Sequence, residues 1–359
     1  MTMKNFLLGA LVLAGGLCAA PAVAAGPTCV PPTEHLMSWP DVNPVWQFCW
    51  VRPAQSSGSN GSGIEIRNVY YNGHLVMKRG GVPMLNVEYT QTSCGCDCYR
   101  DWETSQSFFI ADNIITQGVY AEPTSPPVTV CDVGGGVDVC SSGDANCFNG
   151  VAAEKLADRL ILTTQMDAGW YRYMMKWRFF LDGRIEPVFG FGAVSAGCVS
   201  CSHKHHAYWR FDFDIDTPGT SVVTEGPNPA QAARPGPRPR IVTLPIETMR
   251  IDNYPGISWS VANPTTHRGY RMVPGVESNL PADAFSQGDF WALKYHANEI
   301  DDGHGLGDCP VNYAPWLNNE ALTGDVVFWY RTGWIHPAGD LSDFELVGPT
   351  LYPVGDWSP

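Results

Sequence analysis

The segment Ser202–Asp216 constrains the fold most, because apolar and polar side chains alternate along it. Successive side chains of a β-strand point to opposite faces, so this alternation predicts a strand. The largely apolar face carries His203, His205, Ala207, Trp209, Phe211, Phe213 and Ile215. The polar face carries Lys204, His206, Tyr208, Arg210, Asp212, Asp214 and Asp216. We therefore expect His203 and His205 to point into the core.

Two inward-pointing histidines on one strand have two interpretations. A buried imidazole needs a partner for each ring nitrogen, and a pair of neighbouring imidazoles suits a transition metal. The alternative is a pair of hydrogen-bonded core histidines, or a histidine-rich sheet edge. This strand alone leaves both interpretations open.

The rest of the chain has the pattern of an all-β protein. Glycine and proline interrupt short alternating runs throughout. The predicted strands include 170–180, 290–295 and 326–335. Asn72–Gly73 predicts a tight hairpin turn, and Asp182–Gly183 predicts a second one. Residues 150–160 are the one stretch in which we expect a short turn of helix.

The N-terminal residues 1–25 have the pattern of a cleaved signal peptide. Lys4 supplies a positive charge, Phe6–Leu17 an apolar core, and Ala22–Ala24 a cleavage site of small residues. No later stretch is long and apolar enough to predict a membrane span. The sequence therefore predicts an exported protein, either periplasmic or secreted.

Net charge and cysteine content indicate which binding partners and which cellular compartment to expect. A formal net charge of -14 disfavours binding to nucleic acid or to anionic membranes. Many of the 12 cysteines lie in local groups, namely Cys94, Cys96 and Cys98, then Cys131, Cys140 and Cys147, then Cys198 and Cys201. In an oxidising compartment we expect most cysteines to form disulfides, with a thiolate metal cluster as the alternative.

Several segments, taken together and in order, resemble a known family. They are Gly95–Cys98 (Gly-Cys-Asp-Cys), 171–186 (Tyr-Arg-Tyr-Met-Met-Lys-Trp-Arg-Phe-Phe-Leu-Asp-Gly-Arg-Ile-Glu), His203-Lys-His205, Asp325–Pro337 with His336, and Thr350–Gly355. In this order they resemble the catalytic domain of the copper amine oxidases. The resemblance extends over about Trp46–Trp357, which is most of the chain.

The resemblance has implications for the fold and the assembly. It implies a large antiparallel β-sandwich in residues 46–359, preceded by an extension in residues 26–45. It also implies a catalytic domain without the smaller N-terminal domains of the family, and it suggests a homodimer.

The resemblance also implies a reaction and its site. Copper would be bound by His203, His205 and His336. Tyr171 matches the precursor of the quinone cofactor topaquinone, and Tyr89 matches the tyrosine that hydrogen-bonds this quinone. The implied reaction oxidises small primary amines with oxygen, and it releases an aldehyde, ammonia and hydrogen peroxide.

A second cation site is implied at the other end of the histidine strand. Asp212, Asp214 and Asp325, with the carbonyl groups of Phe213 and Val326, match oxygen ligands that take calcium or manganese in some members. Oxygen ligands of this kind suit hard cations. The alternative is a set of acidic residues on a solvated strand face.

Two departures from the family pattern bear on activity. The family has Asn before the cofactor tyrosine and Asp or Glu after it, whereas here Trp170 and Arg172 flank Tyr171. The catalytic Asp of the family lies in a segment after the position of Tyr89, and this chain has no matching segment.

The missing segment leaves the catalytic base unassigned. Asp101 and Glu103 share one predicted strand face and are the candidate replacements. Glu88 is expected to face away from the site, and Asp97 is held between two cysteines. We therefore expect weak turnover of simple amines or none. The alternative function is a non-catalytic copper-binding homologue in which Tyr171 stays unmodified.

Overall fold

A computed structural model provides the fold of most of the chain. The residues it describes are 26–89, 98–106, 108–109, 120–122, 148–169, 171–194, 201–229, 240–251, 256–275, 288–302, 316–336 and 346–359. The predicted signal peptide, residues 1–25, lies outside these ranges. No helix in the described ranges is long and apolar enough to cross a membrane.

The described residues form strands, which we number in chain order. They are β1 His35–Trp39, β2 Trp46–Val51, β3 Glu65–Tyr71, β4 His74–Tyr89, β5 Cys98–Asp101, β6 Phe108–Phe109, β7 Tyr120–Glu122, β8 Phe148–Asn149, β9 Val151–Lys155, β10 Arg159–Ala168, β11 Tyr171–Phe180, β12 Ile185–Val194, β13 His203–Phe213, β14 Val222–Pro227, β15 Val242–Thr243, β16 Thr248–Arg250, β17 Ile257–Ala262, β18 Gly269–Val273, β19 Phe290–Lys294, β20 Val326–His336, β21 Leu346–Val347 and β22 Thr350–Val354. A single turn of 3-10 helix spans Pro53–Gln55.

These strands build two large antiparallel sheets. Among the described residues, the first sheet has the order β1-β2-β3-β4-β13-β20-β19-β16, with β5 paired to β4. The second has the order β15-β14-β17-β18-β22-β12-β11-β10-β9-β7, with β21 paired to β12. The predicted all-β fold, a large antiparallel β-sandwich, is confirmed.

The predicted strands match the observed ones closely. The alternating segment around the histidines forms β13, and the predicted strands 170–180 and 326–335 form β11 and β20. Asn72 and Gly73 both have positive φ, at 49° and 79°, as expected for a tight two-residue hairpin turn between β3 and β4.

The expected turn of helix at 150–160 is wrong. Val151–Lys155 forms β9, which pairs with β10 on one side and with β7 on the other. Alanines in this segment favour a helix locally, but burial and pairing within the second sheet decide the structure, because tertiary context overrides weak intrinsic propensity.

The core between the sheets is rich in aromatic residues. Trp177 on β11 packs edge-on against Trp209 on β13, with ring centroids 5.3 Å apart. The outer face of the first sheet carries a second buried cluster, made by Trp316 and by side chains of the sheet's own strands, namely Met84, Tyr208, Trp291, Leu293, Val327 and Trp329. Strand β13 is therefore buried on both faces, and its polar face is not a solvent-exposed surface.

Disulfides are present among the described cysteines. Cys29 is bonded to Cys49, which joins the chain before β1 to β2, and Cys201 is also disulfide-bonded. Strand β1, within the predicted 26–45 extension, pairs with β2 along its whole length. Cys94, Cys96, Cys131, Cys140, Cys147 and Cys198 lie outside the described residues.

Candidate functional site

The two histidines of the alternating strand lie at one end of β13, an inner strand of the first sheet. His203 and His205 are both fully buried, as predicted, and their ring centroids are 4.9 Å apart. In the strand register, His203 is opposite Tyr89 of β4 on one side and His336 of β20 on the other. The structure describes only the backbone of His336. The register thus brings all three predicted histidines to the same end of β13 and β20.

Hydrogen bonds fix the orientation of both imidazole rings. His203 Nδ1 lies 2.8 Å from the carbonyl oxygen of Cys201, and a carbonyl can only accept, so Nδ1 carries the proton. His205 Nδ1 lies 3.1 Å from the hydroxyl of Tyr173. A neutral imidazole protonated at Nδ1 has its lone pair at Nε2, the atom that can bind a metal.

Tyr171 reaches this histidine pair from the opposite sheet. It is 2% exposed on β11, and its ring centroid lies 4.9 Å from that of His205 and 5.7 Å from that of His203. Its hydroxyl is hydrogen-bonded to the hydroxyl of Tyr89. The predicted inward orientation of Tyr171 is confirmed. Tyr89 contacts the unmodified Tyr171, and its hydrogen bond to a quinone stays a prediction.

The charged neighbour of Tyr171 does not point into this site. Arg172 Nη1 donates to Asp167 Oδ1 of β10 at 2.5 Å and to the carbonyl of Tyr171 at 3.1 Å. Because side chains alternate along β11, Arg172 lies on the opposite face from Tyr171. Trp170, the other flanking residue, lies outside the described residues.

Asp101 is one of the predicted candidate bases, and it is in contact with the site. It ends β5 and is 6% exposed. Its Oδ2 accepts a hydrogen bond of 2.5 Å from Tyr173, the residue whose hydroxyl also contacts His205. Burial raises the pKa of Asp101 to about 7, and the hydrogen bond from Tyr173 partly opposes this rise.

Glu103, the second candidate, is placed differently. It is 1% exposed, and both of its carboxyl oxygens lack a hydrogen-bond partner among the described residues. Burial raises its pKa well above the ordinary value, although the charge of Arg100 opposes this rise. Burial thus disfavours the ionised form of Glu103, which makes it the weaker candidate for a base.

Glu88, another carboxylate near this strand, is not in the site. Glu88 pairs with Lys204, with the carboxylate oxygen and the amine nitrogen 3.5 Å apart, on the polar face of the sheet. This confirms that Glu88 faces away from Tyr171. Asp97 lies outside the described residues.

Two contact residues had no role in the sequence predictions. Tyr173 bridges Asp101 and His205, and the indole of Trp334 stacks on the imidazole of His205 with an interplanar angle of 9° and a centroid distance of 5.2 Å. The period-2 pattern places Tyr173 on the same face as Tyr171. Trp334, directly opposite His205, becomes visible only when the register of β13 and β20 is known.

The predicted second site is a compact cluster of acids. Oxygen atoms of Asp212, Asp214 and Asp325 all lie within 4.8 Å of one another. Phe213 and Val326 are opposite each other at the same end of the two strands. Asp212 and Asp214 are 2% and 3% exposed, so the alternative of a solvated strand face is wrong.

The environment of these acids is unfavourable for their ionised forms. Burial raises the pKa of Asp212 to about 6 and that of Asp214 to about 7, and the charge of Asp325 adds to both rises. Arg210 Nη1, which lies 3.7 Å from Asp212 Oδ2, partly opposes the shift at Asp212. In each acid the Oδ1 atom has no hydrogen-bond partner among the described residues. A hard cation would fit this set of oxygens.

Comparisons with known proteins agree on the fold. No protein-family model and no curated protein matches the sequence. A copper-containing benzylamine oxidase from Hansenula polymorpha is similar in structure, with a TM-score of 0.62 and 16% identity over 94% of this chain and 64% of its own. A Pichia pastoris lysyl oxidase has a TM-score of 0.60 and 16% identity over 86% of this chain and 51% of its own. An Aspergillus nidulans amine oxidase has a TM-score of 0.53 and 15% identity over 98% of this chain and 55% of its own. The chain thus spans about half to two thirds of these structures, and it has the β-sandwich fold of copper amine oxidases.

Proposed function

We propose that the protein is a copper- and topaquinone-dependent primary-amine oxidase. One observation supports this most strongly. Two buried histidines of β13 and Tyr171 of the facing sheet form one cluster, in which Tyr171 is hydrogen-bonded to Tyr89. This cluster lies in a β-sandwich of the copper amine oxidase type.

The proposed copper ligands are His203, His205 and His336. The donor chemistry fits, because the Cys201 carbonyl at Nδ1 of His203 directs its lone pair to Nε2, and the Tyr173 hydroxyl does the same for His205 when it donates to Asp101. His336 is proposed from its register position opposite His203. Imidazole ligands with open positions for water suit Cu(II).

Topaquinone formed from Tyr171 would supply the electron sink that turns a primary amine into an aldehyde, with oxygen as the final oxidant and ammonia and hydrogen peroxide as further products. Tyr89 holds the oxygen at the end of the Tyr171 ring. Asp101 is the proposed proton acceptor, because a carboxyl group with a pKa of about 7 can accept and release a proton at neutral pH. Burial of the whole cluster limits access of bulk water.

The second candidate function is a non-catalytic copper-binding homologue. The observation in its favour is that Asp101 is hydrogen-bonded to Tyr173 and not to Tyr171. A carboxylate held in this way is poorly placed to remove a proton from a substrate bound at Tyr171. The arrangement therefore favours a protein that binds copper without fast amine turnover. Both candidates predict copper, and they differ in the modification of Tyr171.

We also propose that Asp212, Asp214 and Asp325, with the carbonyl groups of Phe213 and Val326, bind calcium or manganese. The support is the cluster of buried carboxylate oxygens described above. The cation would neutralise acids that are otherwise costly to ionise in a buried position. The role of this cation would be structural, because the acids and the proposed copper ligands lie at opposite ends of β13.

The proposed setting is extracytoplasmic. The disulfides of Cys29, Cys49 and Cys201 are compatible with export through the predicted signal peptide at 1–25. The proposed partners are a small primary amine and oxygen. A homodimer remains a prediction from the resemblance.

Activity can be tested with a peroxide-coupled assay on copper-loaded protein. Methylamine, benzylamine and phenylethylamine sample small, aromatic and longer primary amines. Tyr171→Phe is the matched control, because it retains the ring and removes the hydroxyl that the quinone requires. Slow peroxide release by the wild type, absent in Tyr171→Phe, supports an oxidase. No release with any amine, together with bound copper, favours the non-catalytic homologue.

A further inference from the structure

A chain of hydrogen bonds connects three elements behind the proposed copper site. The hydroxyl of Tyr173 on β11 lies 2.5 Å from Asp101 Oδ2 at the end of β5 and 3.1 Å from His205 Nδ1 on β13. Tyr173 and His205 are fully buried, and Asp101 is 6% exposed. The chain therefore joins the two sheets inside the core, where water does not compete for these hydrogen bonds.

The direction of this chain follows from its donors and acceptors. A phenol has one proton to donate, and an ionised carboxylate can only accept. With Asp101 ionised, Tyr173 donates to Asp101, and the phenol oxygen accepts from His205 Nδ1. His205 then carries its proton at Nδ1 and its lone pair at Nε2. If Asp101 is neutral, it can donate instead, and the direction of the chain can reverse.

We propose that Asp101 and Tyr173 are positioning residues that hold His205 in the tautomer and orientation that bind copper. This inference rests on the copper site proposed above. A metal-ligating histidine generally donates a hydrogen bond from the N–H of its second ring nitrogen to an outer partner, and loss of that partner weakens metal binding. The outer partner of His203 is a backbone carbonyl, which a substitution does not remove. The outer partner of His205 is the side chain of Tyr173, which a substitution can remove.

The packing around His205 is consistent with such a role. Trp334 stacks on one side of the ring, and Tyr171 packs perpendicular to it with a centroid distance of 4.9 Å. These contacts restrict the tilt of the ring, but neither selects which nitrogen carries the proton. That selection depends on the hydrogen bond at Nδ1, and hence on Tyr173 and Asp101.

The test measures copper binding without amine, so that the catalytic role proposed for Asp101 does not enter. Cu(II) is titrated into metal-free protein against a competing chelator, for the wild type, Tyr173→Phe, Asp101→Asn and the double variant. The copper EPR spectrum is recorded for each. Tyr270→Phe is the matched control, because its equally buried hydroxyl donates to the carbonyl of Gly183, away from this cluster. Asp101→Asn keeps the size of the side chain and provides a second variant if Tyr173→Phe folds poorly.

We expect Tyr173→Phe to bind copper about 10- to 100-fold more weakly than the wild type and to show a changed EPR hyperfine splitting. Asp101→Asn should weaken binding as well. The double variant should match Tyr173→Phe, because Asp101 acts only through the phenol. Wild-type affinity in Tyr173→Phe, or additive losses in the double variant, would overturn the inference. Absence of copper from the wild type would overturn the proposed function together with it.

Discussion

The hydroxyl groups of Tyr89 and Tyr171 are hydrogen-bonded to each other across the two sheets, although 82 positions separate the residues in the chain. Tyr89 reaches this point because β4 runs beside β13, with Tyr89 directly opposite His203. The ring centroid of Tyr89 lies 5.0 Å from that of His203. Tyr89 therefore contacts both the proposed cofactor residue and a proposed copper ligand.

This contact predicts a limited role for the Tyr89 hydroxyl. Tyr89→Phe should lower amine turnover by about fivefold, since a net hydrogen bond contributes ~1 kcal/mol. Copper content should stay at the wild-type level, because the hydroxyl is not among the proposed ligands. Peroxide-coupled kinetics and metal analysis measure the two quantities. Loss of copper in Tyr89→Phe would show that the hydroxyl acts on the metal site itself.

The two candidate bases should respond differently to neutralisation. With copper kept at saturation, Asp101→Asn should lower turnover by ~10²–10⁴-fold, the usual contribution of a proton-transfer residue. Glu103→Gln should have little effect, because burial raises the pKa of Glu103 and so disfavours the ionised form that a base requires. Steady-state rates on both variants measure the difference. A large loss in Glu103→Gln with none in Asp101→Asn would assign the base to Glu103.

The acidic cluster should make the stability of the protein depend on pH, and a bound cation should remove this dependence. The pKa values of Asp212 and Asp214 are raised in the fold, to about 6 and about 7, so the folded state binds more protons than the unfolded state. Without a divalent cation, the free energy of unfolding should fall as the pH rises from ~4 to ~7 and then level off. Calcium at 100 times its dissociation constant should add about 2.7 kcal/mol at pH 8.

Thermal unfolding with chelator or with calcium, from pH 5 to pH 8, measures this effect. The double variant Asp212→Asn with Asp214→Asn should lose the response to calcium and the cluster's share of the pH dependence, while the share from Asp101 stays. Asp158→Asn is the matched control, since its side chain is 64% exposed and outside the cluster. An equal response to calcium in the double variant would place the cation elsewhere.

The Cys29–Cys49 disulfide should contribute to stability without affecting the site. It closes a loop of 20 residues at one edge of the first sheet, and loops of this size correspond to about 3 kcal/mol in the chain-entropy model. Replacing both cysteines by alanine should lower the free energy of unfolding by that order, as measured by denaturant titration. Copper affinity should be unchanged. A parallel loss of copper would mean that the edge strands hold the histidine strand in place.

Much of the fold follows from local patterns in the sequence. The alternation in β13 predicts the strand and the burial of His203 and His205, and Asn72–Gly73 predicts the hairpin. These features depend on the side-chain period of a strand and on backbone preferences of single residues, which are present in any short window. The helical turn expected near Val151 was wrong, because pairing with distant strands determines that segment.

The contacts within the site are harder to predict from the sequence. The link from Asp101 to Tyr173 requires β5 to pair with β4 and the two sheets to stack, and both arrangements are non-local. The cluster of Asp212, Asp214 and Asp325 likewise depends on the pairing of β13 with β20, which brings residues distant in the chain together. Sequence patterns identify which residues share a face, whereas the packing of sheets decides which faces meet.

The most direct measurement of the central claim is the visible absorption spectrum of protein expressed with copper, before and after addition of phenylhydrazine. If Tyr171 is converted to a quinone, the protein should show a broad visible band that phenylhydrazine shifts. Peptide mass spectrometry should then locate the modification at Tyr171, and Tyr171→Phe should lack the band while still binding copper. A colourless, phenylhydrazine-insensitive protein with copper bound would contradict the oxidase function and leave the copper-binding homologue.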